Sequence, residues 1–145
     1  MFRTMKVELR PPSSDAARTQ PRKWLVSELR GAIEAGSLPD GTRIELIDGE
    51  VVPMSPQFIP YGWVKAELGF ALKMRAFGDL RVLQEVSLQL SETTLVEPDI
   101  VLCRFNGMPR RYLLADEAVL VIEIADSSSR ADRLLKPSLY ARASI

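Results

Sequence analysis

The chain has 145 residues, enough for one domain with a real core, and its 46% hydrophobic and 26% charged residues are those of a soluble globular protein. Nineteen basic side chains balance nineteen acidic ones, so net charge makes no case for a nucleic-acid partner. No apolar stretch reaches the length of a membrane span and the N-terminus lacks the apolar core of a signal peptide, which makes the cytoplasm the expected location.

The charges are not evenly spread. Residues 1–30 carry seven basic and three acidic side chains, 31–100 carry five and eleven, and 101–145 carry seven and five. An acidic centre between basic ends suits a metal-binding pocket beside a phosphate-contacting rim, but on these counts alone ordinary surface charge is the better account. The one cysteine, Cys103, lies inside an apolar run, so it reads as a small buried hydrophobe in a reducing compartment.

In chain order, residues 1–20 read as a disordered leader and 21–145 as a single domain. "RKWLVSELRGAIEAG" places Trp24, Leu25, Leu29 and Ile33 at helical spacing, with Gly36 as the stop. "TRIELIDGEVVPM" has two strand-like halves around Asp48-Gly49, the dipeptide of a tight hairpin turn. After the Pro-broken "SPQFIPYG", the stretch "WVKAELGFALKMRAF" is an amphipathic helix closed by Gly78. Three strands follow, "LRVLQEVSLQL", "VEPDIVLCRF" and "AVLVIEIA", the last with the unbroken apolar character of a strand covered on both faces. "SSSRADRLLKPSLYARA" ends the chain as a helix, with Ser129 and Asp132 spaced as a capping box. The order predicts an α/β or α+β domain with a mixed sheet flanked by helices.

Two acids stand out because they interrupt apolar strands. By alternation Asp99 shares a face with Val101 and Cys103, and Glu123 shares one with Val119, Val121 and Ala125. Two ionised carboxylates 4 Å apart repel by roughly 4 kcal/mol at an effective dielectric of 20, so a cation is expected beside them. A turn acid at a strand entrance is the simpler account of Asp99, and a buried salt bridge that of Glu123. Neighbouring strands that each end in a carboxylate also offer the hard oxygen ligands that Mg²⁺ or Mn²⁺ prefers.

Pro98-Asp99 on one strand and Glu123 on the next resemble the PD-(D/E)XK nuclease superfamily. More narrowly, "RIELIDGEVVPMSP", "VLQEVSLQLSETTLVEPDIVL" and "VLVIEIADSSSRADRLLKPSLYARASI" resemble, in that order, the hairpin, core strands and last helix of the Uma-type family of restriction endonucleases. The resemblance runs from Trp24 to Ile145. It implies a restriction-endonuclease-like fold, metal-dependent hydrolysis of phosphodiester bonds in DNA, and a homodimer. It further implies that Asp99 and Glu123 hold Mg²⁺ or Mn²⁺ together with the backbone carbonyl of Ile124. Lys136 takes the place of the superfamily lysine, whose usual position is Ala125, and Glu50 is a further acid for the pocket. A solvent-facing lysine and a solvated turn acid are the plain alternatives for Lys136 and Glu50.

Several residues depart from the family pattern: Tyr61 stands where many relatives have histidine, Ser144 where glycine is usual, and Pro137 directly follows Lys136. The family's further strand is expected beyond Ile145, and without it the sheet would expose an edge. These departures support the competing expectation, a catalytically inactive, truncated relative that binds nucleic acid or protein. Hydrolysis of another substrate is a third expectation, since fold does not fix chemistry.

Overall fold

The computed structural model describes residues 23–38, 42–124 and 130–145, the last segment with side chains from Leu135 onward. The expected leader lies outside them, and so do Ser129 and the Asp132 side chain of the expected capping box. Among the described residues there are three helices, and eight strands that form two sheets. Helix α1 (Val26–Glu34) leads into the hairpin β1 (Ile44–Ile47) and β2 (Glu50–Pro53), and α2 spans Ile59–Arg75. Strands β3 (Arg81–Gln84), β4 (Leu88–Ser91), β5 (Thr94–Val96) and β6 (Ile100–Cys103) follow. The short β7 (Leu113–Leu114) precedes a single 3₁₀ turn, β8 (Ala118–Ile122) and α3 (Arg130–Arg142).

The larger sheet has the order β2-β1-β5-β4-β7 and is mixed, because β7 runs parallel to β4 while its other pairs are antiparallel. The smaller sheet, β3-β6-β8, is antiparallel throughout. "LRVLQEVSLQL" is therefore two strands in different sheets, with the break at Glu85, whose φ of 51° turns the chain. The chain returns to the smaller sheet through Pro98-Asp99. A hydrogen bond of 3.3 Å from the Glu85 N–H to the Asp99 carbonyl ties the two crossovers together.

Burial explains why the sheets stay together. Leu88, Val96, Val101, Cys103 and Leu113 of both sheets form one apolar cluster with Leu139 and Tyr140 of α3. Val26 and Leu29 of α1 close a second cluster over Leu46 and Leu95. Cys103 is fully buried, as its apolar surroundings predict, and burial raises its thiol pKa. Strand β8 corrects the expectation of a strand covered on both faces. Among the described residues it pairs only with β6, and Val119 and Leu120 are each about half exposed. Helix α3 runs through Pro137 without interruption. No helix among the described residues is long and apolar enough to cross a membrane.

Candidate active site

Both crossovers, the end of β8 and the last helix meet around a group of acids. Asp99 occupies the bend just before β6, where the chain passes between sheets, and is only 5% exposed. Its Oδ2 accepts the backbone N–H of Ile124 at 2.7 Å and its Oδ1 accepts the Tyr61 hydroxyl. Ile124 thus brings the end of β8, and Glu123 with it, to Asp99.

Glu123 stands one residue past β8, and 29% of its side chain is exposed. It is not enclosed among aliphatic neighbours as strand alternation suggests, because the strand ends at Ile122. Its Oε1 accepts the Tyr140 hydroxyl from α3 and lies 3.3 Å from Lys136 Nζ. Lys136 reaches back from the same helix and makes a second ion pair, at 2.9 Å, with Glu45 on β1. Glu45 is 6% exposed, and its Oε1 also accepts the Glu97 N–H at 2.9 Å.

The ammonium of Lys136 is therefore shared by two carboxylates. Burial alone would lower its pKa, but the charges and hydrogen bonds of Glu123 and Glu45 outweigh burial and raise it. Glu123 shifts the same way for a different reason. Burial raises its pKa and the nearby Asp99 charge adds to this, so Lys136 and Tyr140 offset the cost of ionising it only in part. Burial and the adjacent carboxylates push the Tyr61 and Tyr140 hydroxyls far up, so both remain protonated donors.

A second set of charges adjoins the first through Tyr61, Arg43 and Glu97. The Lys65 ammonium, from the buried face of α2, lies 5.2 Å from the Tyr61 ring centre, pairs with Glu85 and donates to Gln57 at 2.6 Å. The hydrogen bond from Lys65 holds the Glu85 carboxyl below its ordinary range. Arg43 pairs with Glu97 and lies 3.6 Å from Glu85.

Of the residues singled out in the sequence, Asp99, Glu123, Ile124 and Lys136 come together and Glu50 does not. Glu50 opens β2 opposite Ile47 and is exposed, and its side chain makes no hydrogen bond or ion pair among the described residues. Ala125 lies outside the described residues. Glu45 is the acid that the sequence reading missed. Its signal was the one that drew attention to Glu123: in "IELI" a carboxylate interrupts an apolar strand. Lys65 gave no comparable signal, since lysines on amphipathic helices usually face solvent.

The arrangement supplies oxygen donors on two adjoining backbone segments and a lysine whose Nζ has a third hydrogen to donate. Among the described residues no group of three or more His, Cys, Asp or Glu is disposed to hold a metal ion. Two sheets sharing a core with α3, a carboxylate at each of two strand ends and a lysine returning from the next helix define a restriction-endonuclease-like α/β protein. The model of the Uma2 family, described as "Putative restriction endonuclease", matches residues 32–145, most of the chain, and the chain belongs to that family. A search of curated proteins found no match.

Proposed function

We propose that this chain is a Mg²⁺- or Mn²⁺-dependent endonuclease that hydrolyses phosphodiester bonds in DNA. The observation that carries this reading is the convergence of Asp99, Glu123 and Lys136, joined by the Ile124 N–H on Asp99 and the Lys136 ammonium on Glu123. The donor set fits the ion. Mg²⁺ is commonly bound through one or two carboxylates, with water and substrate phosphate oxygens completing the octahedron, so the lack of a third acid is no obstacle. Asp99, Glu123 and the Ile124 carbonyl would hold it. When bound, the ion supplies Lewis acidity toward a phosphate oxygen and lowers the pKa of a coordinated water.

The chain's own residues do the remainder. Lys136, with two hydrogens directed at Glu45 and Glu123, has a third for the attacking water or for a phosphate oxygen that gains charge in the transition state. Tyr61 and Tyr140 each hold an oxygen of one carboxylate and fix its rotamer. Glu45 holds Lys136 through the second ion pair, at 2.9 Å. Cys103, buried in the core, suits a reducing cytoplasm.

Supercoiled plasmid DNA provides the test. The protein should nick it in Mg²⁺ or Mn²⁺ and not in EDTA, and Asp99→Ala should not nick it in any of them. Added Mn²⁺ should raise the wild-type melting temperature with the logarithm of its concentration above the dissociation constant, and Asp99→Ala should remove that shift. A metal response shared by wild type and variant would refute the site. A wild type that binds metal and DNA but never cleaves would favour the second reading, an inactive binding module, to which the engagement of Lys136 with two acids lends support.

A further inference from the structure

Lysines are seldom buried unless they are paired, and Lys65 on α2 is only 7% exposed. Its ammonium pairs with Glu85, donates to the Gln57 amide oxygen at 2.6 Å and faces the Tyr61 ring, 5.2 Å from its centre. Those three partners take up the three hydrogens of an ammonium. Unlike Lys136, Lys65 therefore has none left for water or phosphate. Its main chain is held too. The Lys65 carbonyl accepts from Gln84 Nε2 at 3.2 Å, and α2 approaches the end of β3 so closely that a Cβ on Gly69 would meet that same amide nitrogen.

We propose that Lys65 is a positioning residue for Asp99. Two routes connect them. Tyr61 meets the Lys65 ammonium with its ring and donates to Asp99 Oδ1 with its hydroxyl. Glu85 pairs with Lys65 through its carboxylate and donates its N–H to the Asp99 carbonyl at 3.3 Å. Lys65 thus touches both residues that grip Asp99, one at its side chain and one at its main chain.

Each of the two needs such a hold. Glu85 has a φ of 51°, a left-handed conformation that a residue with a Cβ keeps only when its surroundings fix it. The Tyr61 hydroxyl, at the tip of a long ring, is placed only as well as the ring is, and a cation fixed by Glu85 and Gln57 beside that ring limits its swing. Anchoring α2 to β3 is the simpler role for Lys65. That role weakens the whole fold when the ammonium is lost, whereas positioning loosens Asp99 first.

The consequence for metal binding rests on the reading of Asp99 as a metal ligand, and two readouts on the full chain keep the claims apart. Lys65→Met keeps the aliphatic stem and removes the ammonium. The Glu85 side chain is 43% exposed and has Arg43 at 3.6 Å, so the change strands no buried carboxylate. The first readout is hydrogen exchange in EDTA at the Ile124 amide, which donates to Asp99 Oδ2. Its protection should fall about tenfold in Lys65→Met, while the Leu29 amide of α1, in the second apolar cluster, keeps its own. The second is the Mn²⁺ dissociation constant by titration calorimetry, which should rise about tenfold, the scale on which residues behind a metal ligand act. Tyr61→Phe should change both in the same direction. The double variant should fall well short of the product of the two losses, because one route from Lys65 runs through Tyr61. Lys65→Gln, which keeps a donor toward Glu85, should also show both changes and decides the matter if the methionine variant fails to fold. Unchanged Ile124 protection, an equal loss at Leu29, losses that multiply, or an unchanged dissociation constant where wild type binds Mn²⁺ would each overturn the proposal. A wild type that binds no Mn²⁺, with Ile124 protection still lost in Lys65→Met, refutes the metal-dependent reading and upholds the positioning of Asp99.

Discussion

Glu123 is a carboxylate that the folded chain would rather keep protonated. Its pKa lies above the ordinary 4.5, because burial and Asp99 together outweigh Lys136 and Tyr140. A group whose folded pKa is raised contributes stability that is complete below its unfolded pKa and is lost as pH rises through the folded one. At neutral pH without metal, ionised Glu123 is therefore a net cost. Glu123→Gln should leave the melting temperature in EDTA equal to or above that of wild type at neutral pH. The advantage should disappear as pH falls below 4.5, where wild type is protonated too. The same variant should lose the metal response. A pronounced drop in its melting temperature at neutral pH would show that the Lys136 pair outweighs burial.

Lys136 behaves in the opposite way, because it serves two acids. Removing it leaves Glu45 buried with, among the described residues, only the Glu97 N–H as partner, so Lys136→Ala should cost about 3 kcal/mol of stability, measured by denaturant unfolding. Glu45→Gln in the same chain should restore much of that. In the repaired background, metal-dependent cleavage should still be down by about two to three orders of magnitude, the scale of one lost electrostatic contact in a transition state. Lys136→Arg should rescue poorly, since a planar guanidinium does not replace a compact ammonium. Lys73, exposed on α2, is the control, and its replacement by alanine should leave cleavage unchanged.

At the scale of elements, the hairpin was readable because its chemistry is local. Asp48 and Gly49 adopt φ angles of 49° and 84°, the positive pair that the dipeptide announces. Gly49 is further constrained by its surroundings, since a Cβ there would lie 2.4 Å from Lys23 Cβ and 3.2 Å from its Cα. Gly49→Ala should cost about 2–3 kcal/mol, from the left-handed backbone plus displacement of Lys23. Gly107→Ala, at φ 66° with nothing within 4 Å of the added Cβ, should cost only about 1 kcal/mol. Comparable denaturation midpoints for the two variants would show that Lys23 yields freely. The break at Glu85 was not readable, because no glycine or proline marks it. The chain turns there on a glutamate held by Lys65 and by the backbone bond to Asp99, both supplied from elsewhere in the fold. The two-residue β7 had no pattern of its own to announce it.

Across the whole molecule, the α/β class and the three helices were legible from periodicity, while the division into two sheets was not. Which sheet a strand joins is decided by partners far along the chain, and alternation of side chains carries no trace of that. The site was legible in a similar measure. An acid inside an apolar strand pointed to Glu123, and the same rule applied evenly would have reached Glu45 rather than Glu50. Lys136 could be singled out only through family likeness, since its pairing depends on a helix folding back over β1 and β8. The excess of acids in residues 31–100 acquires a physical meaning too. Part of it is Glu45, Glu85, Glu97 and Asp99, gathered around Lys65, Arg43 and Lys136.

That gathering bears on the order in which the protein can fold. Glu45 and Lys136 are far apart in the chain, as are Asp48 and Arg142, whose ion pair at 3.1 Å also ties the hairpin turn to α3. Contacts of such long range carry the full entropy of loop closure before they return anything, and they belong to the late, slow part of assembly. Until α3 docks, Glu45 and Glu123 have no ammonium between them and oppose the collapse that would bury them. Side-chain deletions on α3 should therefore speed unfolding and leave the refolding rate nearly unchanged, the kinetic signature of a helix absent from the folding nucleus.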